Sequence, residues 1–259
     1  MGDVELGASA LAGIWFLAIY MLGFGFSLGL QVIIARRNGE QWYAETGKTF
    51  FQGLFFLLIL AVLLCMLSKI FSPVLLKHLI TSDDVYNAVI RYLDWRIWGL
   101  LFSFPFLALR SFLVGITQTK ALNMAAFTAV LVNIPLNWLL IFGFDMGISG
   151  AAIASSSAEM CSLAVLAAYM FRHIDKKAYG LYWRIDITVL KEVFSISVWS
   201  MLQFFTSVAI WFLFFVAIER LGETELAVSN IVRSVSALFS VIVNALAGVT
   251  GSLVSNLIG

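Results

Sequence analysis

Residues 6–35 carry no charged side chain, and neither do residues 49–68, 121–144 or 193–218. Each run is long enough to cross the hydrocarbon core of a bilayer, which takes about 20 apolar residues of helix. Three further runs carry a single charge each: Ile97–Thr117 with Arg110, Met146–Phe171 with Glu159, and Leu226–Gly259 with Arg233. A water-soluble domain cannot hide seven such segments. Membrane-spanning barrel strands alternate in polarity over about ten residues, and these runs are longer and uniformly apolar. The expected fold is therefore all-α: a polytopic membrane protein with about seven transmembrane helices.

Composition agrees. Apolar residues make up 61% of the chain and charged residues 12%, with a mean hydropathy of +0.97. Soluble domains carry about 25% charged residues. A net charge of +1 gives no electrostatic case for nucleic acid. Cys65 and Cys161 sit inside apolar runs and read as small buried hydrophobes. With His78 and His173 as the only histidines, triad and zinc chemistry have little material. No catalytic residue and no cofactor is expected.

Between the second and third spans, Val85, Ala88, Val89, Tyr92 and Leu93 follow the i, i+3, i+4, i+7 spacing of one helical face. Thr81 and Asp84 have the spacing of a capping box. The segment reads as an amphipathic helix on the membrane surface or as an extension of the following span. Loop charges set the orientation. Nine basic residues lie on one side, in loops 36–48, 118–123 and 172–192, against five on the other, which include Arg96. The positive-inside bias makes the first set cytoplasmic.

The phrase "GDVELGAS" at Gly2–Ser9 returns as "GETELAVS" at Gly222–Ser229. A shift of 220 positions superimposes Gly2, Glu5, Leu6 and Ser9 on Gly222, Glu225, Leu226 and Ser229, and Gly39 on Gly259. Both phrases open a long span. This is the mark of an internal repeat, common among secondary transporters. The repeated spans are the first and seventh, so both cross in the same direction. A full span, Val193–Ile218, precedes the second copy, whereas only Met1 precedes the first. The expectation is a transporter piece with an N-terminal lobe over 1–190, its first helix missing, and the first two helices of a C-terminal lobe over 191–259.

Five segments, "GDVELGASALAG", "QVIIARRNGE", "LALRSFLVGITQTKALNM", "NIPLNWLLIFGFDMGISGAAIASS" and "AIERLGETELAVSNIVRS", together resemble the multidrug and toxic compound extrusion (MATE) family over nearly the whole chain. The resemblance implies twelve helices in two six-helix lobes around a central cavity. It also implies export of organic cations by alternating access, coupled to Na+ or H+ entry, from the inner (plasma) membrane. Expected partners are the organic cation, the coupling cation and the lipid bilayer, with no nucleic acid and no obligate protein partner. A flippase or polysaccharide exporter of the same superfamily is an alternative; it would favour a cavity lined by several arginines, of which Arg110 and Arg233 are candidates. A non-transporting remnant is another.

Asn133 and Asn137 are i, i+4 and share a helix face. Pro135 between them lacks an N–H and frees the carbonyl of Leu131. Two amides and a free carbonyl at membrane depth suit a cation or a watery pocket, and equally suit helix-to-helix bonding. The resemblance places the first amide in a polar site of the N-terminal lobe. One branch has Asp where this chain has Asn137, which removes a titratable group. Sodium near Asn133 and Asn137 is the candidate metal ion. Glu159 is the one acid deep within a span, and an intramembrane ionisable group is a functional candidate by default. Gln203, Thr206 and Ser207 form a polar stripe, Asn244 lies deep in the last span, and Arg233 lies about two turns inside it. Gln203, Asn244 and Arg233 join Asn133, Asn137 and Glu159 as candidate cation- and substrate-binding residues. Some family members carry a glutamate on the 193–218 helix, but none occurs here. Arg110 is expected to snorkel to the cytoplasmic interface. Gly25 and Gly29 offer a small-residue face for close helix packing.

Overall fold

The computed structural model describes residues 3–80, 82–182, 186–219 and 223–259. Within them every regular element is helical: α1 (Asp3–Gly39), α2 (Tyr43–Leu79), α3 (Asp83–Arg96), α4 (Leu100–Gly115), α5 (Lys120–Trp138), α6 (Gly147–His173), α7 (Ile187–Glu219) and α8 (Glu223–Ile258). Seven segments are long and apolar enough to span a bilayer. Their outer surfaces, such as Ile59, Met66 and Ile70 on α2, expose apolar side chains, as a lipid-facing surface requires.

The amphipathic segment is resolved as an extension. A single 3-10 turn, Ile97–Gly99, joins α3 to α4, and one continuous rod of 33 residues, Asp83–Gly115, forms the third span. The backbone stays right-handed helical through Arg96, Ile97 and Gly99, so nothing breaks it. The cap differs from expectation. The Ser82 hydroxyl accepts from the Val85 N–H, and Thr81 lies outside the described residues. Arg96 is no loop charge: it is buried, held inside the helix bundle by partners given below.

Pro135 sits within α5, and one turn later the helix widens into a π turn, Leu139–Gly143. There the Phe144 N–H donates to the Leu139 carbonyl at 2.9 Å. A proline removes a ladder bond and crowds the preceding turn, and such local widening is a common way to re-satisfy the backbone.

α1 is the axis of the fold and packs on α2, α3, α4, α7 and α8. α7 runs antiparallel along it. Trp15 meets Phe212 with ring centroids 5.9 Å apart, Phe24 meets Phe204 at 5.2 Å, and Arg37 pairs with Glu192 at 2.8 Å. The Gly25–Gly29 face is the contact surface, as expected. A Cβ at Gly25 would fall 2.6 Å from the Met201 backbone, and one at Gly29 would strike Ser197. The Ser197 hydroxyl donates to the Phe26 carbonyl at 3.2 Å. Fully buried Phe26, Leu30, Ile34, Phe104, Phe112 and Leu113 fill the space between α1, α2 and α4.

α8 runs parallel to α1 and meets the rest at its C-terminal end. Ser252 donates to the Val114 carbonyl at 3.3 Å, and Asn256 donates to the Gly115 carbonyl at 2.9 Å. Further back along the helix, Val241, Ile242, Val243 and Leu246 are exposed.

Candidate functional site

α6 is built from small residues, "GISGAAIASSSAEMCS", and these let α4 and α5 approach it closely. A polar face results, with Ser155, Ser156, Glu159 and Ser162 one turn or less apart. The Ser162 hydroxyl donates to the Ala125 carbonyl on α5 at 3.0 Å. Between α1, α4, α5 and α6 lies a cavity of about 430 Å³. Its wall includes Tyr20, Ser103, Asn133, Ser155 and Glu159.

Glu159 does not stand alone. Arg96 grips its carboxylate with both terminal nitrogens: Nη1 donates to Oε2 at 2.9 Å, and Nη2 pairs with Oε1. The Ser103 hydroxyl donates to Oε2 at 2.7 Å. Arg96 also reaches the Ser156 hydroxyl at 3.4 Å and lies over the Phe16 ring, 3.8 Å from its centroid. Gly99 makes the approach feasible. A Cβ there would strike Arg96 Nη1 and sit 2.8 Å from Glu159 Oε2. Two charges inside a helix bundle persist only when paired and hydrogen-bonded, and this pair is both.

The amides are coupled as their spacing suggested. Asn137 Nδ2 donates to Asn133 Oδ1 at 2.9 Å, and Asn133 Nδ2 donates to the Ser155 hydroxyl at 3.5 Å. Asn133 lines the cavity together with Glu159, so two of the candidates converge and Asn137 supports the first of them.

Other candidates lie elsewhere. Gln203 is exposed on α7, on the opposite side from the face that packs on α1, and the Ser207 hydroxyl donates to its carbonyl at 2.8 Å. Asn244 is exposed on α8. The Arg233 side chain lies outside the described residues. Among the described residues no group of three His, Cys, Asp or Glu side chains could hold a metal ion. Arg110 does not snorkel as expected. Its guanidinium lies over the Phe24 ring, 5.6 Å from the centroid, with Nη1 buried. The neighbouring aromatic face of α1 holds it inside.

Arg96 was missed from the sequence because it precedes an apolar run and reads as a loop charge. The signal was present: one more turn of the Val85–Val89–Leu93 stripe lands on Arg96.

A second cluster closes the opposite end. Asn38 donates to the Asn256 side chain at 2.8 Å, and the Tyr179 hydroxyl donates to Asn38 at 3.3 Å. Lys48 pairs with Asp186 at 2.7 Å, alongside Arg37 with Glu192. The hydrogen bond from Lys48 and the Val189 backbone N–H hold the Asp186 carboxyl below its ordinary value.

The family model described as MatE matches residues 1–139. A probable multidrug resistance protein NorM of Shewanella oneidensis is 27% identical over 247 residues, 92% of this chain and 52% of that protein. The protein of the same description from a Synechocystis strain is 29% identical over 189 residues, 70% of this chain and 40% of its own. The chain thus spans about half the length of the curated relatives it matches. Among solved structures, the eukaryotic MATE transporter AtDTX14 superimposes with a TM-score of 0.86 at 19% identity, over 98% of this chain and 58% of that one. An outward-facing multidrug resistance MATE transporter of the MOP superfamily gives 0.84 at 22% identity, over 99% and 57%.

Proposed function

The chain belongs to the MatE family, and from that premise we propose that it works within a cation-coupled antiporter. This antiporter exports organic cations by alternating access across the inner (plasma) membrane. The observation that carries this reading is the cavity in which Asn133 and Glu159 meet. It supplies an anionic group, an amide and hydroxyls at membrane depth, with the Tyr20 ring beside them. Those are the groups that replace water around a cation and stack on an organic one. The coupling ion, Na+ or H+, acts as a co-substrate. It shifts the outward- and inward-facing populations only through its differential affinity for the two.

Two lobes, residues 1–190 and the beginning of a second at 191–259, fit a reciprocal contact at the helix ends. Gly39 of α1 abuts Asn256 of α8, and Gly259 abuts Arg36. Shifted by 220 positions, each pair becomes the other. Reciprocity of this kind is what a two-fold axis imposes on an interface. With loops 36–48, 118–123 and 172–192 cytoplasmic, the Asn38–Asn256 contact closes the inner face. On that orientation the exposed stretch of α8 with Val241, Ile242, Val243 and Leu246 lies toward the outer side, which supports an outward-facing arrangement.

The flippase reading has one observation in its favour, since Arg96 and Arg110 both turn inward. Arg96 is neutralised by Glu159, however, and Arg110 is not among the cavity-lining residues, which leaves the cavity without the excess positive charge an anionic lipid headgroup needs. Everted vesicles from cells expressing the gene provide the test. Ethidium uptake that depends on an imposed Na+ or proton gradient is expected; uptake equal to that of control vesicles under both gradients overturns the reading.

A further inference from the structure

Resting on that cation-site reading, we propose that Arg96 is a tethered competitor for the cargo. Its guanidinium occupies, on the Glu159 carboxylate, the place that a bound organic cation takes. Three observations point there. Glu159 faces the cavity, its side chain 28% exposed, while Arg96 sits behind it at 11%. Among the described residues lining the cavity, none but this pair carries a charge, so an entering cation finds that carboxylate already taken. Arg96 also has a second set of partners, the Phe16 ring and the Ser156 hydroxyl, and can stay buried when Glu159 lets go.

The exchange conserves charge: one cation leaves the carboxylate as another arrives. Aromatic rings continue from Arg96 along α1. Phe16, Tyr20 and Phe24 stack in succession with centroids 6.4 Å apart, and Tyr20 lines the cavity. A cargo that displaces a bidentate guanidinium must itself be weakly hydrated and able to lie on a ring. Arg96 therefore sets specificity. Delocalised organic monocations win the exchange, whereas compact, strongly hydrated ions do not.

Ethidium binding to the full chain in detergent, followed by fluorescence, tests the exchange. Titrations of all variants run at one fixed pH, so that only the groups around the Glu159 carboxylate differ between them. The titratable groups facing it are Tyr20 from α1 and Arg96 and Tyr92 from α3; α4 and α5 present Ser103 and Asn133. Arg96→Gln removes the competing charge and keeps a donor for Glu159. It is expected to tighten ethidium binding about tenfold, one pairing's worth of affinity. Arg96→Lys, which restores the charge, returns binding toward wild type, and Arg96→Gln combined with Glu159→Gln shows no gain. Phe16→Leu, which takes away the alternative resting place, weakens binding. Folded Arg96→Gln protein that binds as wild type or more weakly overturns the proposal. Should Arg96→Gln not fold, unchanged binding by Phe16→Leu overturns it instead. Ethidium binding indifferent to both Glu159→Gln and Asn133→Leu would instead remove the cation site itself.

Discussion

The side-chain amide of Asn38 donates to the side-chain oxygen of Asn256 across 2.8 Å, tying the end of α1 to the end of α8. Asn256 meanwhile donates to the carbonyls of Gly115 and Ser252. One amide thus links α1, α4 and α8. Asn256→Ala removes these bonds at about 1 kcal/mol each. A cysteine at buried Ala35 should then react with a soluble maleimide about thirtyfold faster than in the parent, counting about 1 kcal/mol for each of the two bonds that leave α8. An unchanged rate would mean that Asn256 does not hold this face shut.

The pair at Glu159 makes a stability prediction separate from transport. Glu159→Leu leaves the Arg96 guanidinium without its carboxylate and should cost about 3 kcal/mol, the low end for a buried pair, since Phe16 and Ser156 still hold it. Glu159→Leu with Arg96→Met should recover most of that loss, because the apolar pair needs no partners. Thermal unfolding in detergent reads both. A double variant no more stable than the single one would show that the surroundings need the charges for packing.

Gly29 and Gly13 lie on the same helix and should respond oppositely to a methyl group. At Gly29 the new Cβ strikes Ser197, whereas at Gly13 nothing lies within 4 Å. Gly29→Ala should destabilise by about 1–3 kcal/mol through overpacking. Gly13→Ala should stabilise by about 0.5–1 kcal/mol through helix propensity. Unfolding temperatures of the two single variants check the contrast.

Asp186 sets an acid limit on the end of the bundle where it pairs with Lys48. Its carboxyl is held below its ordinary value, first by the Lys48 hydrogen bond and then by the Val189 N–H. A depressed carboxyl contributes stability above its unfolded value, about pH 3.9, and loses it as pH falls through the lower folded value. Asp186→Asn can still cap Thr188 and Val189 but gives up the Lys48 charge. Between neutral and acid pH its unfolding temperature should fall less than that of the parent. Parallel curves would place the acid sensitivity elsewhere.

How much of this was legible in the sequence depended on residue type. Charge-free runs marked the spans, because lipid tolerates little else. Gly25 and Gly29 marked the packing face of α1, because backbones meet only where side chains are absent. The coupling of Asn133 to Asn137 followed from a spacing within one helix. What stayed hidden was tertiary. Arg96 and Glu159 are 63 positions apart; the stripe through Val85, Val89 and Leu93 points to Arg96, but nothing local pairs it with an acid on α6. Arg110 looked free to snorkel until α1 placed Phe24 against it. Gln203 and Asn244 are polar residues in apolar helices like Asn133, and only packing separates them from the cavity.

That separation allows the most direct test of the central claim, that the cavity between α1, α4, α5 and α6 holds the cation. Ethidium affinity should fall at least about tenfold, one lost polar interaction's worth, in Asn133→Leu. It should stay at the parent value in Gln203→Leu and Asn244→Leu, which alter exposed faces. Full affinity in Asn133→Leu, with binding lost in Gln203→Leu or Asn244→Leu, would contradict the account.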